Sequence, residues 1–365
     1  MWKKIILSLL VAFVPVFWVQ SNRIFELDKD VVYHHTEKCK VVGIDKNIVD
    51  FDEFDSEELI AAECDMSSIF GSGPDTASRG RLLRVLDLAY GAPKFVEIQL
   101  SGFPSDIWFF PFGIFYQDNT IYVLNQAFNH GGSRVEVFIY SNFRAIYKGS
   151  ILLDTQVGGT FGDLVIHNEN IYLSQYSSIP LEQNSKPYPF TSVIKSFYQN
   201  IVQQHEAGVY KCPFKLNSFT NCTIEATEKS HSIPSIIKDR ENNIIVSFSS
   251  IDYNKVAVYT ITPRGGLSYD SRISLRDRAE RLFYSKTFGK IYGSAIPWPM
   301  MIFSGNTPAG AIEINKEQGK AYTHRRLFMQ EKDIKGIKAV ARVGNYVLST
   351  GFMENAAYVC LVVDS

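Results

Sequence analysis

A short motif recurs along this chain: a polar turn, a strand with an aromatic or β-branched centre, and a second turn. It reads NTIYVLNQ from Asn119, ENIYLSQY from Glu169, NNIIVSFSS from Asn242, GKIYGSAI from Gly289 and GNYVLSTG from Gly344. A weaker copy, EELIAAE, starts at Glu57, and the mean step between copies is about 57 residues. Several copies run on into a second alternating strand, as in SRVEVFIYS from Ser133, NKVAVYTITP from Asn254 and AAYVCLVVD from Ala356. Such a unit is a small antiparallel meander that cannot bury both faces by itself. Six of them arranged radially can, and they leave only short edges. The repeat therefore predicts an all-β chain folded as a six-bladed β-propeller.

One segment departs from the β pattern. TSVIKSFYQNIVQQHE, Thr191 to Glu206, places Val193, Ile194, Phe197, Tyr198, Ile201 and Val202 at helical spacing, with prolines before it and Gly208 after it. It predicts a helical insertion on one face of the ring. The insertion reads either as a lid packed on the propeller or as a membrane or partner surface.

The N-terminus, MWKKIILSLLVAFVPVFWVQSNR, sets Lys3 and Lys4 before an apolar run from Ile5 to Val19. A transmembrane helix needs about 20 residues; Trp2 and Trp18 extend this one toward the two interfaces. We read residues 1–22 as a signal-anchor helix with the lysines cytoplasmic and residues 23–365 as the propeller body. The alternative is a cleaved signal peptide and a secreted body. Both readings deliver the body to the secretory pathway, where disulfides persist. Five cysteines occur, without the spacing of a zinc site. Cys212 and Cys222 flank a turn-rich stretch and are read as bridging a local hairpin. Cys39 and Cys360 lie near opposite ends of the body, and a bridge there would close nearly the whole chain. Cys64 is left over as a small buried hydrophobe. Asn221-Cys222-Thr223 is an N-glycosylation sequon.

Other chemistry is sparse. The net charge of −1 provides no basic field, which argues against a nucleic-acid partner. There is no G-x-S-x-G elbow. TPRGGLS, from Thr262, reads as a hairpin rather than a phosphate loop, and the acidic run Asp50 to Glu58 lacks the central glycine of a calcium loop. Among the seven histidines, His34 and His35 read as solvated, His130 as a turn residue and His167 as structural; His231 is the one worth testing for rescued activity. The stretch FFPFGIFYQDNTIYVLNQ, Phe109 to Gln126, predicts two strands around a turn at Asp118-Asn119 and holds no histidine, cysteine or paired carboxylates.

Together with CKVVGIDKNIVDFD from Cys39, RVEVFIY from Arg134, FGDLVIHNENIYLSQY from Phe161 and GNYVLSTGFMENAAYVC from Gly344, that stretch resembles the paraoxonase/arylesterase family. The resemblance spans about Cys39 to Cys360, in order. It implies a six-bladed propeller with two tunnel calcium ions, one structural and one polarising a lactone or ester carbonyl while histidines assist water attack. Carried over by position, the family's Glu-Asp pair becomes Val49-Asp50 and its Asn-Asp pair becomes Gly162-Asp163. A further Asn ligand falls near Ile233-Pro234, and an Asp-Asn pair near Glu280-Arg281. The assisting histidines become Phe112 and Gln126, and two others fall at Ser177 and near Ile296. No catalytic residue is assigned. Asp50 and Asp163 are the metal candidates, for one structural calcium at most. Arg281 weighs against a dication beside Glu280.

With residues 1–22 read as an anchor, the chain looks like the membrane-anchored paraoxonase-like proteins of nematodes. This likeness implies a non-catalytic type II protein of the endoplasmic reticulum or plasma membrane. Such a protein acts as a chaperone or accessory subunit for degenerin/epithelial sodium channel assembly and surface expression. The alternative is a calcium-dependent lactonase or arylesterase with an altered site.

Overall fold

A computed structural model describes residues 39–68, 76–127, 132–153, 159–177, 206–230, 232–249, 254–296, 308–316, 321–330, 337–351 and 355–362. The anchor at 1–22 lies outside these residues. So does the helical insertion, except Glu206, which opens a strand. Among the described residues no helix is long and apolar enough to cross a membrane.

The described strands form antiparallel meanders of four. The first comprises Asn47–Glu53, Leu59–Cys64, Arg81–Leu86 and Lys94–Ser101. The second comprises Pro111–Gln117, Thr120–Gln126, Ser133–Ser141 and Arg144–Leu153. The third is Thr160–His167, Asn170–Ser177, Glu206–Pro213 and Thr223–Lys229, and the fourth Ser232–Lys238, Asn243–Ser249, Asn254–Ile261 and Leu267–Ser274. The fifth is Leu282–Ser285, Lys290–Ala295, Ala309–Lys316 and Tyr322–Gln330. The sixth is Ile337–Val343, Tyr346–Gly351 and Ala356–Leu361, completed by Cys39–Gly43 from the start of the body. The recurring sequence motif supplies the second strand of every meander.

The first strands of successive meanders touch one another, and that of the sixth touches that of the first, so they surround a common centre. The arrangement is propeller-like. Its apolar clusters lie between neighbouring meanders. Leu59, Val85, Phe283, Tyr292 and Leu348 join the first, fifth and sixth, while Leu124, Leu164, Leu173, Val246 and Tyr259 join the second, third and fourth. Each sheet thus buries both faces only because it has a neighbour on either side.

Closure comes from the antiparallel pairing of Cys39–Gly43 with Ala356–Leu361, in which Cys39 faces Cys360 and is disulfide-bonded to it. Cys212 and Cys222 form a second disulfide within the third meander. Cys64 is buried and free, and burial pushes its thiol pKa up, which keeps it an unreactive core residue. The turn at Asp118-Asn119 has both residues at positive φ, 51° and 60°, the geometry of a tight two-residue hairpin.

Two outer edges are covered rather than bare. Gln99–Ser101 pairs in parallel with Arg144–Ile146, joining the first and second meanders. Ser218–Thr220 pairs in parallel with Ile151–Leu153, reaching from the third meander to the second. These contacts occupy backbone groups that would otherwise be open to strand addition.

Candidate functional site: a cation cluster at the centre of the ring

The innermost strands share an irregularity that builds the site. Register shifts interrupt the first between Ile48 and Asp50, the second between Pro111 and Gly113, and the third between Phe161 and Asp163. They recur in the fourth between Ser232 and Ser235 and in the sixth between Ile337 and Ala339. A β-bulge re-aims the residue it releases from the ladder. The released positions are Val49, Phe112, Gly162, Ile233-Pro234 and Lys338. Four of these five are places where the sequence comparison expected metal ligands or an assisting base.

Just after the bulges, carboxylates satisfy backbone N–H groups of the next meander. The Ile114 N–H donates to Asp50 Oδ2 at 2.9 Å, and the Ile236 N–H donates to Asp163 Oδ2 at 3.1 Å. Asp50 Oδ1 and Asp163 Oδ1 accept from the N–H groups of Phe51 and Leu164. The Ser235 hydroxyl donates to Asp163 Oδ2 at 2.9 Å and accepts from the Leu282 N–H at 3.1 Å, linking the third, fourth and fifth meanders. These aspartates do structural work that a buried, one-sided strand edge requires.

Asp50 and Asp163, the two metal candidates of the sequence, both lie beside Arg281. Arg281 is 1 % exposed and directly precedes the fifth meander's innermost strand. Its Nη2 donates to the carbonyl oxygens of Phe112 at 2.5 Å and Gly162 at 2.8 Å. Its Nη1 stands 3.0 Å from Asp163 Oδ2 and 4.0 Å from Asp50 Oδ2; the first contact is an ion pair without hydrogen-bond angles. Burial pushes the Asp50 carboxyl well above its ordinary range; Asp163 adds to the shift, and Arg281 opposes it. Burial opposes the charge on Arg281, but Asp163 and Asp50 hold its pKa above the ordinary value.

On the other side of Arg281, Lys338 Nζ lies 3.5 Å from Glu280 Oε2 and 5.0 Å from the centre of the Tyr176 ring. Arg278 holds the second oxygen of Glu280 in a close ion pair. Burial would raise the Glu280 carboxyl, but Arg278 and Lys338 outweigh it and hold it below the usual range. Burial lowers the Lys338 ammonium to about 8. Lys338, Arg278 and Ser235 were not singled out in the sequence. The signal for Lys338 was a lone lysine in the apolar strand IKAVARV, in register with Val49 and Phe112.

The expected base positions hold no base. Phe112 is buried against Tyr176 and beneath the Arg281 guanidinium. Gln126 Nε2 donates to the Phe161 carbonyl at 2.8 Å, a structural bond. Ile296 is buried and bridges to Arg278, and Ser177 ends a strand. His231, His34, His35, His130 and His205 lie outside the described residues. His167 is at the far end of its innermost strand, its pKa lowered by burial and by Lys238, and His324 is exposed on an outer strand.

A cavity of about 30 Å³ lies beside Asp50 and Asp163 and is also lined by Asp52, Lys238 and Lys286. That is space for about one water, not for a lactone. Lys238 Nζ donates to the Ile166 carbonyl at 2.8 Å, and Lys286 Nζ to those of Glu53 and Tyr116 at 3.1 Å. Three cations, Arg281, Lys238 and Lys286, thus surround three carboxylates, Asp50, Asp52 and Asp163. Calcium takes six to eight oxygens. Here the oxygens facing the centre are already engaged by N–H, O–H or guanidinium donors. Among the described residues no group of three or more His, Cys, Asp or Glu is placed to hold a metal. The donor set does not suit a divalent ion.

Asn221 is exposed, immediately before the disulfide-bonded Cys222.

No family model and no curated protein matches this chain. A gluconolactonase from Xanthomonas campestris is similar in structure over 91 % of this chain and 94 % of its own, at 10 % identity and a TM-score of 0.48. The WD40 β-propeller domain of Doa1 aligns over 90 % of this chain and 97 % of its own, at 9 % identity and a TM-score of 0.40. A protein from Lactobacillus plantarum aligns over 80 % of this chain and 74 % of its own, at 12 % identity and a TM-score of 0.43.

Proposed function

We propose that this chain is a six-bladed propeller of the paraoxonase/arylesterase kind that serves as a non-catalytic chaperone or accessory subunit. The observation that carries this reading is the Arg281 guanidinium beside Asp50 and Asp163, where ester hydrolysis of that kind needs a Lewis-acid ion. The side chains at the expected base positions, Phe112 and Gln126, are engaged in packing and a backbone hydrogen bond. A buried cluster of ion pairs and backbone hydrogen bonds such as this one suits a rigid scaffold.

In this reading residues 1–22 anchor the body as a type II protein in the endoplasmic reticulum or plasma membrane, with a glycan on Asn221. The partners are degenerin/epithelial sodium channel subunits, whose assembly and surface expression the propeller assists. The disulfides support a lumenal or extracellular body, since such bonds persist in oxidising compartments.

The test uses the purified full-length protein on lactones and aryl esters, with and without calcium. It is paired with co-purification of a co-expressed degenerin-type subunit. No turnover together with recovery of the subunit is the expected result. Calcium-dependent turnover abolished by Asp163→Asn would overturn the reading in favour of a lactonase or arylesterase.

A further inference from the structure

We infer that the guanidinium of Arg281 takes the place of a metal ion at the centre of this ring, so that a covalently attached charge gathers the meanders and no bound divalent cation is needed. The inference concerns what holds the ring together, and it stands whether or not the protein assists a membrane channel.

The geometry is that of a central ion. Arg281 enters from the fifth meander. It bonds carbonyl oxygens of the second and third through Phe112 and Gly162, pairs with Asp163 of the third and faces Asp50 of the first. Ser235 brings in the fourth through Asp163 and Leu282, and Lys338 brings in the sixth through Glu280. Two carboxylates and two backbone carbonyls converging from three strands are the kind of oxygen set a hard cation collects. A guanidinium is suited to that place because its planar fork offers several fixed donors and stays charged when buried.

The surrounding charges make a second occupant unfavourable. A divalent ion beside Asp50 and Asp163 would sit within a few ångströms of Arg281, with Lys238 and Lys286 lining the same small cavity. Like charges at such distances repel, and more strongly beside buried groups than in bulk water. The backbone has also closed around the network. A Cβ on Gly113 would lie 2.8 Å from Asp163 Oδ1, and one on Gly162 would lie 3.1 Å from the Cβ of Tyr176.

The test compares thermal unfolding midpoints of the full-length protein after exhaustive chelation and with excess calcium chloride, and measures bound metal by mass spectrometry. The expected result is no stoichiometric calcium and the same midpoint in both conditions. Arg281→Met keeps the aliphatic stem and removes the charge, and should lower the midpoint by roughly 5 °C or more, because it strands two buried carboxylates. Calcium retained at one equivalent by the wild-type protein, or a wild-type midpoint raised by calcium, would overturn the inference. An unchanged midpoint in Arg281→Met would do the same. If that variant does not fold, the wild-type measurements still decide.

Discussion

Thr350 donates its hydroxyl to the carbonyl oxygen of Ile48 at 2.8 Å, a contact between residues 302 apart in sequence. It joins the second strand of the sixth meander to the innermost strand of the first, deep in the ring. Valine has the shape of threonine without the donor. Thr350→Val should therefore lower the unfolding free energy by about 1–2 kcal/mol, the cost of a buried carbonyl left without its partner. Urea titration followed by tryptophan fluorescence measures this. A midpoint equal to wild type would mean that the contact adds nothing to closure.

The two disulfides should differ in worth. The Cys39–Cys360 bridge spans 321 residues and the Cys212–Cys222 bridge spans 10. Loop-closure entropy gives the long bridge an upper value of about 6 kcal/mol and the short one about 3 kcal/mol. Cys39→Ser is expected to lower stability and yield more than Cys212→Ser, each measured by denaturant unfolding. The reverse order would show that strain or denatured-state structure outweighs loop length.

Gly113 occupies a position where shape leaves no choice. An added Cβ would meet Asp163 Oδ1 at 2.8 Å and Asp163 Cα at 3.0 Å, whereas one at Gly43 would meet nothing within 4 Å. Gly113→Ala should cost on the order of 2–4 kcal/mol, since backbone of the third meander must move away. Gly43→Ala is the control and should be close to neutral. Differential scanning calorimetry of the two variants separates them.

Glu136 predicts a pH dependence. It is fully buried, accepts from Asn125 Nδ2 at 3.0 Å and lies 3.8 Å from Arg134 Nε. Burial pushes its carboxyl up to about 7 from the ordinary 4.5, against the opposing pull of Asn125 and Arg134. Between these values the folded protein keeps a proton that the unfolded chain has released. Stability from this residue is thus full below about pH 4.5 and falls as pH rises through about 7. Glu136→Gln keeps an acceptor for Asn125 and removes the titration. Its stability at pH 8 should exceed wild type by up to about 3 kcal/mol, with little difference at pH 4. Equal pH profiles for the two proteins would contradict the assignment.

The architecture was legible because it repeats. The motif at Asn119, Glu169, Asn242, Gly289 and Gly344 marks second strands, and the alternating runs from Ser133, Asn254 and Ala356 mark the strands that follow three of them. The pairing of Cys39 with Cys360 followed from their places at the two ends of that pattern. The centre was harder to read. Asp50, Asp163, Glu280 and Arg281 were singled out by resemblance, with Arg281 weighed only as an unfavourable neighbour of Glu280. Its reach across the ring to Phe112 and Gly162 depends on bulges, and a bulge leaves no mark in an apolar strand. Lys338 was missed for a related reason. A single lysine in IKAVARV reads as an edge or rim residue until the sixth strand is set in register with the others.

Pairing Cys39–Gly43 with Ala356–Leu361 places the first and last strands of the body side by side. At roughly 5–20 residues per second, a ribosome needs on the order of 20 to 60 s to synthesise the chain between them. Throughout that time Cys39 lacks its native partner Cys360 and the ring has an open seam, with the apolar face of the first meander waiting for the sixth. The ring therefore closes only after Ala356–Leu361 has been made, and the bond between Cys39 and Cys360 records that it has happened.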